Sequence, residues 1–344
     1  MDILSVILII VLLILAHEFG HFITAKLSGV KVEEFGLGYP PRLAAFRVGE
    51  TAYSLNLLPL GGFVRLLGEE DPTNPRSLAG KPIPVRTLVL ISGSLMNILL
   101  PVFLFAASFM LPQETAVGRV VLQEVAPGSP AQQAGLAPGD QIVQAGGHEI
   151  LNSADLIYRI QLHLGSPLEL LVQRDGQPLM VTVVPRWRPP PEQGAVGIMV
   201  TTEDPQVQKV SYPFWRALPM GAGALVDTLK LFRNEIWGGF VRRTSPQVGG
   251  PIAVFQIAGE VAQAGPGPLL AFAAFLSINL AIINLFPLPG LDGGRLAFVL
   301  LEAVRRKRIS PRRENLVHLI GMALLIGLLL VVSYYDLMRV MGQE

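Results

Sequence analysis

Two histidines four residues apart, with a glutamate beside the first, form the run His17-Glu18-Phe19-Gly20-His21. On a helix, positions i and i+4 share a face, so both imidazoles can reach one tetrahedral zinc while Glu18 stands next to it. In such an arrangement the carboxylate takes a proton from a metal-activated water and passes it to a leaving amine, which is amide hydrolysis. As a five-letter pattern it arises by chance in roughly one chain in a hundred, so its setting must carry the weight. That setting is Ile3 to Lys26, almost unbroken apolar sequence. At about 1.5 Å per residue it is long enough to cross a hydrocarbon core of about 30 Å. Ionisable groups in such a span are costly unless they pair or bind a metal. The plainer alternative is a structural polar cluster.

Two imidazoles leave a catalytic zinc short, because such sites use three protein ligands and a water. The 344 residues include no cysteine, so the third ligand must be His, Asp or Glu. The remaining histidines, His148, His163 and His318, fall in the expected outer domain or within the expected fourth span. The best candidate is Asp292, in Asn284-Leu285-Phe286-Pro287-Leu288-Pro289-Gly290-Leu291-Asp292-Gly293-Gly294. Prolines end a helix there and glycines permit tight turns, so the carboxylate can be aimed sideways at His17 and His21. Read alone, the segment is more simply an ordinary turn.

The elements that must hold these groups belong to a membrane class. Hydrophobic residues make up 51% and charged residues 15%, with a mean hydropathy of +0.48, too apolar for a soluble domain of this length. A net charge of +1 gives no basic field, which excludes nucleic acid as the expected partner and leaves the lipid bilayer. Besides the first span, Leu88–Leu111, about Leu269–Leu288 and Leu316–Leu337 predict three more crossings. A signal peptide is the alternative for the first span, but the basic n-region expected of one is missing after Met1-Asp2, and the distal half carries His17, Glu18 and His21 where a small-residue cleavage site would stand. Arg305, Arg306, Lys307, Arg308, Arg312 and Arg313 crowd the connection between the third and fourth spans, and the segment after the first is also basic. The positive-inside rule makes these loops cytoplasmic and puts both termini and the stretch Pro112–Gly267 outside.

The expected fold is therefore a polytopic α-helical membrane protein with four transmembrane helices and an inserted α+β domain. Its parts are residues 1–111 with a cytoplasmic β-loop at about 46–67, a domain at 115–186, a linker and interfacial segment at 187–267, and 268–344. The linker is proline-rich from Arg188 to Pro191, and Tyr212–Val241 mixes aromatic and basic residues at the spacing of an interfacial amphipathic helix or a partly re-entrant one. Pro59-Leu60-Gly61-Gly62-Phe63-Val64-Arg65 follows a strand-like run, and its glycines allow a close backbone approach to another chain. Such an edge would receive a substrate helix that has unwound, a step needed because helical peptide bonds are shielded.

Within the outer stretch, Pro127-Gly128-Ser129-Pro130-Ala131 through Gly139-Asp140-Gln141-Ile142 resembles the core of a PDZ domain, over about seventy residues from Thr115 to Arg186. The whole chain resembles the site-2 protease family of intramembrane metalloproteases, in its bacterial regulator-of-sigma-factor branch. Four features carry this in order: His17–His21, Pro59–Arg65, Ser92-Gly93-Ser94-Leu95-Met96-Asn97, and Asn284 through Gly294. The resemblance implies that Asp292 is the third zinc ligand and that Asn284 holds substrate or the developing oxyanion. It also implies cleavage of single-pass membrane proteins, such as anti-sigma factors or signal-peptide remnants, after an upstream first-cutting protease has trimmed their outer part. The implied location is the bacterial inner membrane, multi-pass, with the PDZ domain on the periplasmic side. Ser94 departs from the proline common in the family, and one PDZ domain stands where well-known members carry two.

Two other functions fit parts of the pattern. A metal permease could use the same His and Asp residues, but it leaves Glu18 and the PDZ-like module unexplained. A catalytically inactive PDZ scaffold leaves the intact His17-Glu18…His21 set unexplained.

Overall fold

The computed structural model describes residues 3–69, 71–191, 193–242, 250–307 and 309–341. Met1, Asp2 and Arg308, used in reading the sequence, lie outside them. In chain order the elements are α1 (Ile3–Leu27), β1 (Val32–Val48), β2 (Thr51–Leu66), α2 (Ile83–Met110) and β3 (Gln113–Val125). Then come α3 (Pro130–Gln133), β4 (Gln141–Ala145), β5 (His148–Glu149), α4 (Ser153–Leu162), β6 (Leu168–Arg174), β7 (Gln177–Val183) and β8 (Ile198–Val210). The chain continues with α5 (Phe214–Arg242), α6 (Pro251–Gln263), α7 (Pro266–Leu285), α8 (Asp292–Arg305) and α9 (Pro311–Met341).

Among the described residues, four helices are long and apolar enough to cross a membrane: within α1, α2, α7 and α9. Their sequences lack the broad polar face that a soluble helix turns to water, so an apolar solvent or apolar neighbours must surround them. The chain divides into two compact units, one holding the long helices with the β1–β2 hairpin, the other residues 109–216 with most of α5.

In the first unit, β1 and β2 form a two-stranded antiparallel hairpin closed at Val48 and Thr51. It is longer than expected, beginning at Val32 rather than near residue 46. Charged Glu33 and Glu34 hide the strand pattern, and Glu34 is buried against Arg42 and Arg65. The far part of the hairpin exposes Leu43, Phe46, Val48, Leu55, Leu57 and Leu58, an apolar face unlike that of a hairpin in water. Two further helices appear where a linker and a basic loop were expected. Pro251 starts α6, whose Ala253 amide donates to the buried Asp336 carboxylate of α9, while α8 fills most of the connection between the third and fourth long helices.

The second unit is built on a sheet of order β7-β6-β4-β3-β8 with β5 beside β4. Alternation along β6 sends Leu168, Leu170 and Val172 inward, where they meet Val120, Leu122, Ile142 and Leu156 of neighbouring elements. Asn152 caps α4 by accepting from the Asp155 amide, and Asp155 answers by accepting from that of Leu151. The sheet runs beyond residue 186, because β8 pairs along β3 from Gln113↔Val210 to Val125↔Ile198. Pro205 obscured that strand in the sequence. It is tolerated at this edge, beside Asp204 with φ +46 and a register shift between Val117 and Arg119.

Candidate metal centre

One turn of α1 separates His17 from His21, and both rings are buried. Their Nε2 atoms lie 3.2 Å apart. Oδ2 of Asp292 is 2.9 Å from the first and 3.1 Å from the second. Two imidazole lone pairs and a carboxylate oxygen converge so closely only if a proton or cation lies among them. Neighbouring donors in a tetrahedral zinc site with bonds of about 2.0–2.1 Å are about 3.3 Å apart. The triangle matches one face of that tetrahedron to within a few tenths of an ångström, so the donors fit zinc.

The second helix completes the fit. Nδ1 of His21 donates to the carbonyl of Val89, 2.8 Å away, which leaves Nε2 as the lone-pair nitrogen. Gly93, one turn further along α2, faces the same rings: a Cβ there would press on Nε2 of His21 and of His17. Only glycine lets both rings stand where they do. The two helices approach this closely because Gly20 of α1 meets the Ser92 carbonyl and Gly93 Cα, where any side chain would collide.

Asp292 is delivered by a turn. Helix α7 ends at Leu285, Phe286 is extended, and Asp292 opens α8, where the partial positive charge of the helix N-terminus favours a carboxylate. Gly293 and Gly294 lie beneath the carbonyls of Leu285, Phe286 and Leu288, too close for any Cβ. Two ion pairs pin the helix that follows: Arg295 donates to Glu69 at 2.6 Å, and Arg86 of α2 to Glu302 at 2.8 Å.

Glu18 and Asn284 line, with His17 and Asp292, a cleft of about 290 Å³. Gly61 and Gly62 form another wall. A Cβ on Gly62 would stand 3.1 Å from Cγ of Glu18, so this glycine admits strand β2 to α1 itself. All five residues singled out from the sequence therefore meet at one place. Among the described residues, His17, His21 and Asp292 are the group able to hold a metal ion. His148 and His163 contact backbone carbonyls of Gly146 and Arg159 instead. Sequence reasoning named Gly93 only within a family motif, without its place against the histidines, and missed the Val89 carbonyl and the Arg295–Glu69 and Arg86–Glu302 pairs. The role of Gly93 depends on which helix lies opposite, and the pairs lie far apart in sequence.

A helix carrying His-Glu-x-x-His, joined by a carboxylate donor beside a cleft, defines a metalloprotease centre. The sequence profile of peptidase family M50 matches residues 5–328. A protein of Clostridium perfringens named as a zinc metalloprotease is 36% identical over 330 residues, covering 94% of this chain and 95% of that one. Zinc metalloprotease RasP of Geobacillus kaustophilus is 28% identical over 426 residues, covering 98% of each. The chain belongs to peptidase family M50, the site-2 protease family, and is a zinc metalloprotease.

Proposed function

We propose that this protease cuts peptide bonds within or beside the transmembrane segment of single-pass membrane proteins, with zinc held by His17, His21 and Asp292. One observation carries the reading: the donor triangle is built on a helix that is itself long and apolar enough to cross a membrane. Zinc, when bound, supplies Lewis acidity to the scissile carbonyl and the attacking water. Glu18 takes the water's proton and passes it to the leaving nitrogen. Asn284, across the cleft, donates its amide N–H to the substrate carbonyl oxygen as negative charge develops there. The sheet of the second unit is a PDZ domain on the periplasmic side of the inner membrane, supported by the Pro127–Ile142 run and the caps at Ser129 and Asn152.

The test is cleavage of a single-pass substrate by the purified full-length protein in proteoliposomes, with the cut mapped by mass spectrometry. Cuts inside or within a few residues of the transmembrane segment are expected. Cuts confined to soluble tails would overturn the proposal.

A further inference from the structure

The turn that delivers Asp292 is gripped from the side by α9, and the grip is polar. The amide of Gly290 donates to Nδ1 of His318, 2.9 Å away. Neighbouring amides are satisfied within the turn: Leu288 donates to Phe286, and Leu291 and Gly294 to Leu288 and Leu291. His318 also packs its ring 5.5 Å from that of Phe298 in α8, the helix Asp292 begins. One turn further along α9, Gly321 sits against Pro289 so closely that a Cβ would strike that residue's ring and carbonyl. Gly290 has φ +97, so the corner needs glycine and a surface that holds it. Helix α9 thus carries a notch for the Pro289–Gly290 corner with an acceptor at its rim. Between Glu314 and Asp336, His318 is the one imidazole or charged side chain in an otherwise apolar span. A polar ring there is costly unless it has a task.

We propose that His318 is a positioning residue for the metal centre, fixing through Gly290 the direction in which Asp292 presents its carboxylate to His17 and His21. This rests on the reading of Asp292 as a zinc ligand. His318 acts through backbone, so what matters is an acceptor at the place of Nδ1. An asparagine at 318 carries its amide oxygen at about the same reach, whereas a leucine fills the volume without an acceptor.

The experiment compares the full-length parent with His318→Leu, His318→Asn, Gly321→Ala and Asp292→Ala in detergent. It measures zinc affinity by chelator competition, the visible spectrum of the cobalt-loaded protein, and unfolding of the metal-free protein. His318→Leu should weaken zinc binding about tenfold and change the cobalt spectrum, while metal-free unfolding stays near that of the parent. His318→Asn should restore affinity and spectrum. Gly321→Ala, which keeps the histidine but displaces Pro289, should weaken zinc as leucine does. Unchanged affinity in Asp292→Ala would remove the ligand reading and this inference with it. If Asp292→Ala does lose zinc, the positioning role alone is overturned by parent-like affinity in His318→Leu and Gly321→Ala, or by equal weakening in His318→Leu and His318→Asn.

Discussion

Gly20 of the first helix and Gly93 of the second meet backbone to backbone, and Gly93 stands where a side chain would touch both histidine donors. Gly93→Ala is the smallest change that tests this contact. It should lower zinc affinity at least about tenfold, because the methyl group must displace an imidazole or separate the helices. Gly327→Ala, in open space on α9, is the control and should bind zinc as the parent does. Parent-like affinity in Gly93→Ala would show that the histidines have room to spare.

Removing a proposed zinc ligand and removing the proposed base should have different signatures. His17→Ala, His21→Ala and Asp292→Ala should each lose bound zinc and cleavage together, as read by metal analysis and substrate turnover. Glu18→Gln keeps the shape but accepts no proton, so zinc should remain while turnover falls by several orders of magnitude. An active Glu18→Gln protein would exclude Glu18 as the base.

Asn284→Ala should spare zinc, since Asn284 lines the cleft without joining the donor triangle. A fall in kcat of about a hundredfold is expected for a lost charge-stabilising donor. Loss of metal in this variant would instead place Asn284 among the groups that hold the site together.

The second unit has a pH-sensitive clasp of its own. Burial would raise the pKa of Asp140, whose side chain is 1% exposed, but hydrogen bonds from Arg174 and the Ala137 amide outweigh it and hold the carboxyl below its ordinary range. A group with a depressed folded pKa stabilises fully above its unfolded value, about 3.9, and loses that contribution as pH falls through the folded value. Asp140→Asn should therefore cost about 2 kcal/mol at pH 7 and progressively less as pH falls below about 4. Hydrogen exchange of β4 and β6 amides reads the difference; an equal cost at pH 7 and pH 2 would contradict it.

Deleting the second unit, proposed above to be a PDZ domain, separates two ways it could select substrates. As a size filter, its loss should leave a pre-trimmed substrate cleaved and let an untrimmed one be cut as well. As a receptor for a newly exposed C-terminal tail, its loss should weaken cleavage of the trimmed substrate. The filter is expected on the proposed topology, in which a tail tethered on the outer side would give little to a catalytic centre near the inner one. Selective loss of trimmed-substrate cleavage would reverse that choice.

The core of the candidate site was legible because its chemistry is local. Helical spacing puts His17 and His21 on one face wherever the helix goes, and the Pro-Gly punctuation before Asp292 marks a corner in any context. The supports were hidden because they depend on distant partners. Nothing near His318 in sequence announces an amide 28 residues upstream, and the role of Gly93 depends on which helix lies opposite. The fold divided in the same way. Long apolar runs declared four helices, whereas β8 was masked by Pro205, α6 was too short for a span, and α8 sat among the residues that made its surroundings look like a basic loop.

The donor atoms of His17 and Asp292 lie 275 residues apart in the chain. On the proposed ligand set, the centre therefore does not exist until the chain has been made through residue 292 and the turn before α8 has been packed against the first helix. A protease that works among other membrane helices is thus harmless until Asp292 has been made and placed. Nascent chains that stop short of residue 292, and fragments lacking it, carry the His-Glu-x-x-His helix without the means to cut a neighbour.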